Sequence, residues 1–128
     1  MMLFLDFAAI GIGAALGAWL RWGFSVWLNP RIPHFPLGTL ASNLIGGYLI
    51  GIAVAYFLVR HDLPPPWRLF VITGFLGGLT TFSTFSAEVT ELLAGGDFVA
   101  GLGLAATHLA GSLLLTAAGF ATYRALAT

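Results

Sequence analysis

The chain has no cysteine and no lysine, and only 8% of its 128 residues are charged. The absence of cysteine excludes disulfides and thiolate metal sites. Five arginines balance five acidic residues, so there is no basic patch of the kind that binds nucleic acid, and we expect no nucleic-acid partner. Soluble domains average about 25% charged residues, whereas 59% of this chain is hydrophobic. The composition therefore predicts a protein of the lipid bilayer.

Four apolar stretches are each long enough to cross a bilayer, which takes roughly 20 residues. They run from about residues 3–28, 37–59, 67–93 and 98–126. Proline- or glycine-containing connections separate them. The first stretch has no positively charged start and carries Asp6 early, so we expect a retained helix and not a cleaved signal. The predicted fold is an all-α membrane protein, with residues 1–128 forming one domain of four transmembrane helices.

The third stretch contains an unusual segment near its middle, residues 77–86, which reads Gly-Gly-Leu-Thr-Thr-Phe-Ser-Thr-Phe-Ser. Glycine weakens a helix, and a backbone group released within the hydrocarbon must find a partner or cost several kcal/mol. Irregular backbone at this depth is tolerated where it is buried in protein or lines a polar cavity. We therefore predict that the glycine pair interrupts the third helix and that a functional site surrounds the interruption.

Small residues recur at four-residue steps on three of the predicted helices. This spacing lets helix backbones approach closely in a membrane. The residues are Ala9, Gly13 and Gly17 on the first helix, Gly47 and Gly51 on the second, and Gly74 and Gly78 on the third. The pattern predicts tight helix packing.

The arginines give only a weak preference for one orientation in the membrane. If both termini lie on one side, that side carries Arg60, Arg68 and Arg124, and the other carries Arg31, with Arg21 close to a helix end. Because orientation follows the arginine and lysine bias of short loops, this chain is expected to insert both ways up. Four short helices also enclose little space. Together these features suggest a homodimer, and the weak bias permits an antiparallel one.

Polar residues on the first and second helices have two interpretations each. Arg21 follows Gly17 on the same ridge, either as an anchor that reaches the interface or as a structural or vestibule charge. Thr39, Asn43 and Gly47 form one ridge of the second helix. Asn43 offers two N–H donors and an acceptor oxygen, which serve either helix association or a ligand.

The third and fourth helices carry polar stripes. Thr80, Thr84 and Glu88 share one face, and an intramembrane carboxylate is a functional candidate unless interfacial water reaches it. On the fourth helix, His108, Ser112 and Thr116 follow at four-residue steps. A stripe of hydrogen-bond donors suits the path of a small ion.

Phe82 and Phe85 lie among the hydroxyl side chains of residues 80–86. Phenylalanine in a membrane helix usually faces lipid or the core. An aromatic ring also has a positive edge, which favours an anion in a narrow pathway, so both interpretations remain open from the residues alone.

The segment Gly77–Ser86 resembles the signature of the Fluc fluoride channels, also called the CrcB family. The resemblance extends to Gly17-x-x-x-Arg21, to Gly38-Thr39-Leu40 followed by Asn43, and to Glu88. It covers almost the whole chain. It implies an antiparallel, dual-topology homodimer in the inner membrane, with two fluoride pathways at the subunit interface and passive export of cytoplasmic fluoride.

The resemblance also implies roles for individual residues. Phe82 and Phe85 would present ring edges to fluoride, with Asn43 as a donor beside them and Arg21 at the vestibule. The carbonyls of Gly77 and Thr80, from both subunits, would bind one central structural Na⁺. Leu104 and His108 stand where some relatives have tyrosine and serine. The remaining members of the predicted polar track are Thr39, Ser83, Thr84, Ser86, Glu88, His108, Ser112 and Thr116.

Three other functions fit the sequence less well than the channel. A proton-coupled exporter of the small multidrug resistance type is also a four-helix dimer, but it depends on a buried carboxylate in its first helix, where this chain has only Asp6 near the end. A non-transporting assembly subunit would leave the hydroxyl-rich break unexplained. An enzyme is the least favoured, because the sequence has no nucleophile–base pair and no metal cluster.

Overall fold

The computed structural model describes residues 2–33 and 35–128. It contains four helical spans that are long and apolar enough to cross a membrane. The first span is α1 (Met2–Leu28), followed by a short 3₁₀ turn, and the second is α2 (Leu37–Val59). The last is α6 (Phe98–Ala127). The predicted all-α membrane fold with four spanning helices is confirmed.

The third span is built from several pieces. It begins as α3 (Pro65–Arg68), continues as a π-helical stretch (Leu69–Leu76), returns to α-helix in α4 (Gly77–Leu79) and resumes after a break as α5 (Phe82–Ala94). In a π-helix a backbone amide donates to the carbonyl five residues before it. The Gly77 amide makes this bond to the carbonyl of Ile72. π-Helical turns inside helices often occur at functional sites, and the sequence patterns did not predict this one.

The predicted close packing of helices at small residues is present. A Cβ atom added to Gly17 of α1 would collide with the backbone oxygen of Phe75 in the third span. A Cβ atom on Gly51 of α2 would likewise collide with the backbone oxygen of Thr116 in α6. These contacts fix two layers, with α1 against the first half of the third span and α2 against α6.

The second half of the third span is held least tightly. α5 packs mainly against α6 and contains no buried residue. Four serine and threonine side chains of this helix therefore lie on a segment with much of its surface uncovered by this chain. The break in the third span lies next to this surface and to α2.

Candidate functional site

The third helix is broken at two threonines. Thr80 (φ −90°, ψ 152°) and Thr81 (φ −150°, ψ 118°) are extended, between α4 and α5. The predicted break is therefore present, but its position was wrong by a few residues. Gly77 is helical (φ −64°, ψ −38°), and the break follows the glycine pair and does not fall within it.

Asn43 of α2 pairs with the backbone at this break. Its Oδ1 accepts a hydrogen bond from the Thr81 amide at 2.8 Å, and its Nδ2 donates to the Thr81 carbonyl at 3.0 Å. One side chain thus satisfies the donor and the acceptor of an extended residue, as a neighbouring strand would. Because an unpaired backbone group is costly inside a membrane, Asn43 is part of what makes the break stable.

Two further contacts complete the ends of the broken helix. Arg21 of α1 donates from Nε to the carbonyl of Gly78 at 3.1 Å, so this side chain lies at the break and does not extend freely to the interface. Thr81 caps α5, and its Oγ1 accepts from the Thr84 amide at 3.2 Å. Such caps satisfy backbone donors that a helix start leaves without partners.

The carbonyls of Gly77 and Thr80 lose their usual helical partners. In a continuous helix these oxygens would accept from the amides of Thr81 and Thr84. The Thr81 amide instead donates to Asn43 and the Thr84 amide to Thr81 Oγ1. Both oxygens are therefore available to a ligand, which is the chemistry that a hard cation needs from its donors.

A cavity of about 410 Å³ lies beside the break, between α2, the third span and α6. It gathers several of the predicted site residues, which come from three separate parts of the sequence. Those on its wall are Asn43, Gly77, Thr80, Phe82, Phe85, His108, Ser112 and Thr116.

Aromatic rings form one wall of this cavity. Phe82 and Phe85 meet edge to face, with ring centroids 5.3 Å apart. The ring of His108 lies 4.4 Å from that of Phe85 and is 3% exposed. The two phenylalanines differ in their surroundings, since Phe82 is 78% exposed on this chain and Phe85 is half-buried.

The polar stripe of α6 faces the cavity, but its hydroxyls are not equivalent. The single hydroxyl proton of Thr116 is shared between the carbonyls of Gly47 at 2.9 Å and Ser112 at 2.8 Å from Oγ1, so Thr116 joins α6 to α2. The Ser112 hydroxyl has no hydrogen bond to the residues that the structure describes. His108 contacts Asn43, with Nδ1 at 3.1 Å from Asn43 Nδ2.

The rest of the predicted track lies away from this cavity. Thr39, which is 2% exposed, donates to Glu88 Oε2 at 2.7 Å. Glu88 lines a second cavity of about 460 Å³ with Glu91 and residues of the connection between α1 and α2. Ser83 and Ser86 are exposed on α5. The predicted track is thus spread over two cavities, the buried side of α2 at Thr39 and an open face of α5.

Thr81 is the site residue that the sequence reasoning missed. In the sequence it is only one of several hydroxyl residues of the segment 77–86, although it closes the break through its backbone and caps α5 through its side chain. A signal for it was available, since threonine before a helical segment is a favourable N-cap. Its pairing with Asn43 is a tertiary contact with no local signature.

Residues 8–120 match the model of the family described as CrcB-like protein, Camphor Resistance (CrcB). The chain is 62% identical to the fluoride-specific ion channel FluC of Cupriavidus metallidurans, over 96% of this chain and 98% of that protein. The protein of the same name from Cupriavidus necator is 63% identical, over the same shares of the two chains. That of Ralstonia pickettii is 59% identical over 94% of this chain and 95% of its own length.

These comparisons agree with the class that the sequence predicted, an ion channel, ahead of the exporter and the enzyme. They identify no individual residue, so the roles of the track residues stay predictions. The family model matches most of the chain, and these relatives are 59% to 63% identical to it. The chain therefore belongs to the CrcB family of membrane proteins.

Proposed function

We propose that this protein is a fluoride-selective channel of the inner membrane, which lets cytoplasmic fluoride leave the cell passively. The relatives named above carry that activity in their names. The observation that carries the proposal is the cavity at the broken helix, where aromatic rings and hydrogen-bond donors lie together. Ring edges and N–H or O–H groups are both attractive to a small anion, and the four spans provide the membrane setting.

We further propose that two copies of the chain form an antiparallel homodimer with one fluoride pathway on each side of the interface. The support is α5, which has no buried residue although it carries serines and threonines within a membrane span. Polar groups that face hydrocarbon are costly, so a second copy is a better cover for this helix than lipid. A dimer that covers α5 would also close the cavity next to Phe82.

A structural Na⁺ at the dimer axis is the third part of the proposal. The residues present fit such an ion, because the carbonyls of Gly77 and Thr80 are released from helical hydrogen bonding. Two copies would supply four neutral oxygens, which suit a monovalent ion better than Mg²⁺, since Mg²⁺ demands octahedral geometry and retains its waters. The ion would add positive potential near both anion pathways.

Fluoride efflux from liposomes that contain the purified protein tests the channel. Fluoride should leave rapidly after proteoliposomes are diluted into fluoride-free buffer, and chloride should stay inside under the same conditions. Protein-free liposomes give the background. Equal fluxes of the two anions, or fluoride efflux at the background rate, would overturn the assignment. A steep dependence of flux on a proton gradient would favour a coupled exporter instead.

The sodium proposal is tested by stability. A ligand that binds only the assembled, folded protein raises its stability with ligand concentration. The unfolding temperature of the purified dimer should therefore rise with added NaCl and not with equal concentrations of N-methylglucamine chloride. A structure determined in sodium should hold a buried ion between the Gly77 and Thr80 carbonyls of both subunits. Continuous helix at these residues, or equal stability in both salts, would contradict the proposal.

A further inference from the structure

Asn43 holds both backbone groups of one residue at the break. Its Oδ1 accepts from the Thr81 amide at 2.8 Å, and its Nδ2 donates to the Thr81 carbonyl at 3.0 Å. A backbone N–H only donates and a carbonyl only accepts, so turning the side-chain amide over would place donor against donor and acceptor against acceptor. The two contacts therefore fix each other, and Oδ1 stays directed at the Thr81 amide.

The Thr81 amide belongs to the same peptide unit as the Thr80 carbonyl. A peptide unit is planar, and this one is trans, so its N–H and its C=O point in opposite directions. Because the N–H points at Asn43 of α2, the Thr80 oxygen points away from that helix. This oxygen is one of the two carbonyls proposed above as sodium ligands.

The rest of Thr80 is held independently of Asn43. Its amide and its Oγ1 both donate to the Leu76 carbonyl, at 3.0 and 2.8 Å, which ties the residue to the helix before the break. The peptide that follows can still turn by coupled rotation about ψ of Thr80 and φ of Thr81. The hydrogen bond from the Thr81 amide to Asn43 opposes this rotation, since a turned peptide would bring the Thr80 oxygen against Asn43 Oδ1.

A neighbouring carbonyl at the break is held in a different way. Arg21 Nε donates directly to the Gly78 oxygen at 3.1 Å, so this oxygen is already occupied by a donor. Asn43 instead holds the Thr80–Thr81 peptide by its N–H, which leaves the oxygen of that peptide available. Of these two side chains, Asn43 is therefore the one that can aim a carbonyl at a ligand.

We propose that Asn43 is a positioning residue of the sodium site, which aims the Thr80 carbonyl at the ion through a single peptide unit and does not itself touch the ion. The inference rests on the proposed sodium site, and it adds a residue of α2 that lies outside the set of sodium ligands. Hydrogen-bonded groups polarise one another, so an ion on the Thr80 oxygen makes the N–H of the same peptide a stronger donor to Asn43. Sodium and Asn43 thus strengthen each other's contact with the peptide.

This peptide can be observed by itself with NMR. Thr80–Thr81 is the only pair of consecutive threonines in the chain, so threonine labelled with ¹³C in the carbonyl and ¹⁵N in the amide gives one directly bonded ¹³C–¹⁵N peptide pair. The purified dimer is prepared in N-methylglucamine chloride, and NaCl then replaces that salt at constant ionic strength. We expect the Thr80 carbonyl signal to shift with sodium, and the Thr81 amide to exchange more slowly with deuterated water in NaCl than in the control salt.

Asn43→Leu removes the acceptor and keeps the approximate size of the side chain. The NaCl concentration that gives half of the Thr80 carbonyl shift should rise at least about tenfold, because both subunits lose the hydrogen bond that aims the oxygen. Tyr48→Phe is the matched control on α2, since it removes a hydrogen bond to Thr122 of α6 at 2.8 Å and does not line the cavity at the break. Equal sodium responses of the two variants would overturn the proposal.

The unsubstituted protein tests the proposal even if Asn43→Leu does not assemble. A Thr81 amide that exchanges equally fast in the two salts, although the Thr80 signal shifts with sodium, would overturn the role of Asn43 and leave the sodium site standing. A Thr80 signal that is insensitive to sodium would overturn the sodium site and this inference together. Fluoride efflux from liposomes of the same preparation, compared with protein-free liposomes, tests the channel assignment separately.

Discussion

At the scale of single residues, hydrogen bonds distribute the chemistry of the site. Asn43 pairs with both backbone groups of Thr81 and with His108, and Arg21 contacts the carbonyl of Gly78. Each of these side chains replaces a hydrogen bond that a continuous helix would have made. Polar residues that look like ligands in the sequence can therefore act first as partners for the backbone.

Asn43→Asp should reduce fluoride flux at least about tenfold, because the new carboxylate cannot donate to the Thr81 carbonyl and leaves two acceptors opposed at the break. Assembly should survive, as measured by size-exclusion chromatography in detergent. Asn29→Asp is a matched control, since Asn29 Oδ1 only accepts from the Gly38 amide and aspartate can accept equally. Loss of assembly in Asn43→Asp, with Asn29→Asp unaffected, would support a role in helix association instead.

Phe82→Ile and Phe85→Ile should each lower fluoride flux roughly tenfold while the protein stays assembled, since isoleucine keeps the apolar bulk but removes the polarised ring edge. Phe4→Ile is the control, because Phe4 is 70% exposed on α1 and does not line the cavity. The measurement is fluoride efflux from liposomes. Unchanged flux in an assembled double variant would show that both rings serve only in packing.

At the scale of helices, the third span combines rigid and interrupted parts. Its π-helical first half packs closely on α1, whereas its second half, α5, has no buried residue. The break between them is positioned by α2 through Asn43 and by α1 through Arg21. The close approach of α1 is thus a condition for the geometry of the break.

Gly17→Ala should destabilise the protein by about 1–3 kcal/mol, the usual effect of forcing extra atoms into a packed contact, because its Cβ would collide with the Phe75 backbone. Gly11→Ala on the same helix is the matched control. It has no atom within 4 Å of the new Cβ, and alanine is favoured over glycine in a helix by about 0.5–1 kcal/mol. When thermal unfolding is measured in detergent, the midpoint temperature should fall for Gly17→Ala and not for Gly11→Ala. Equal midpoints would contradict close packing at Gly17.

At the scale of the whole molecule, a single chain leaves the cavity and α5 incompletely covered. Because the arginine bias of the loops is weak, copies in both orientations are expected in one membrane. The two observations are independent, since one concerns the surface of the fold and the other the charges of the loops.

Reporters fused to the C-terminus should therefore be found on both sides of the membrane in comparable amounts. Removing the single arginine of the opposite loop, by Arg31→Gln, should shift the population towards one orientation, because orientation follows the arginine bias of short loops. Alkaline phosphatase and green fluorescent protein fusions measure the two populations. A single orientation of the unsubstituted protein would rule out the antiparallel dimer.

The sequence by itself determined the spans, the existence of a break in the third helix and the types of residue around it. These follow from local properties: hydrophobic length, the helix weakness of glycine and the density of hydroxyl side chains. The family resemblance, now supported by a family match over residues 8–120, added the function that composition could not provide.

Only the tertiary structure decided where the break lies and which side chains pair with its backbone. The glycine pair is helical and the two following threonines are extended, because Asn43 offers the Thr81 backbone partners outside the helix. Asn43 and Thr81 are 38 residues apart, and Asn43 and His108 are 65 apart. No local pattern encodes such contacts, since they exist only once separate helices have packed together.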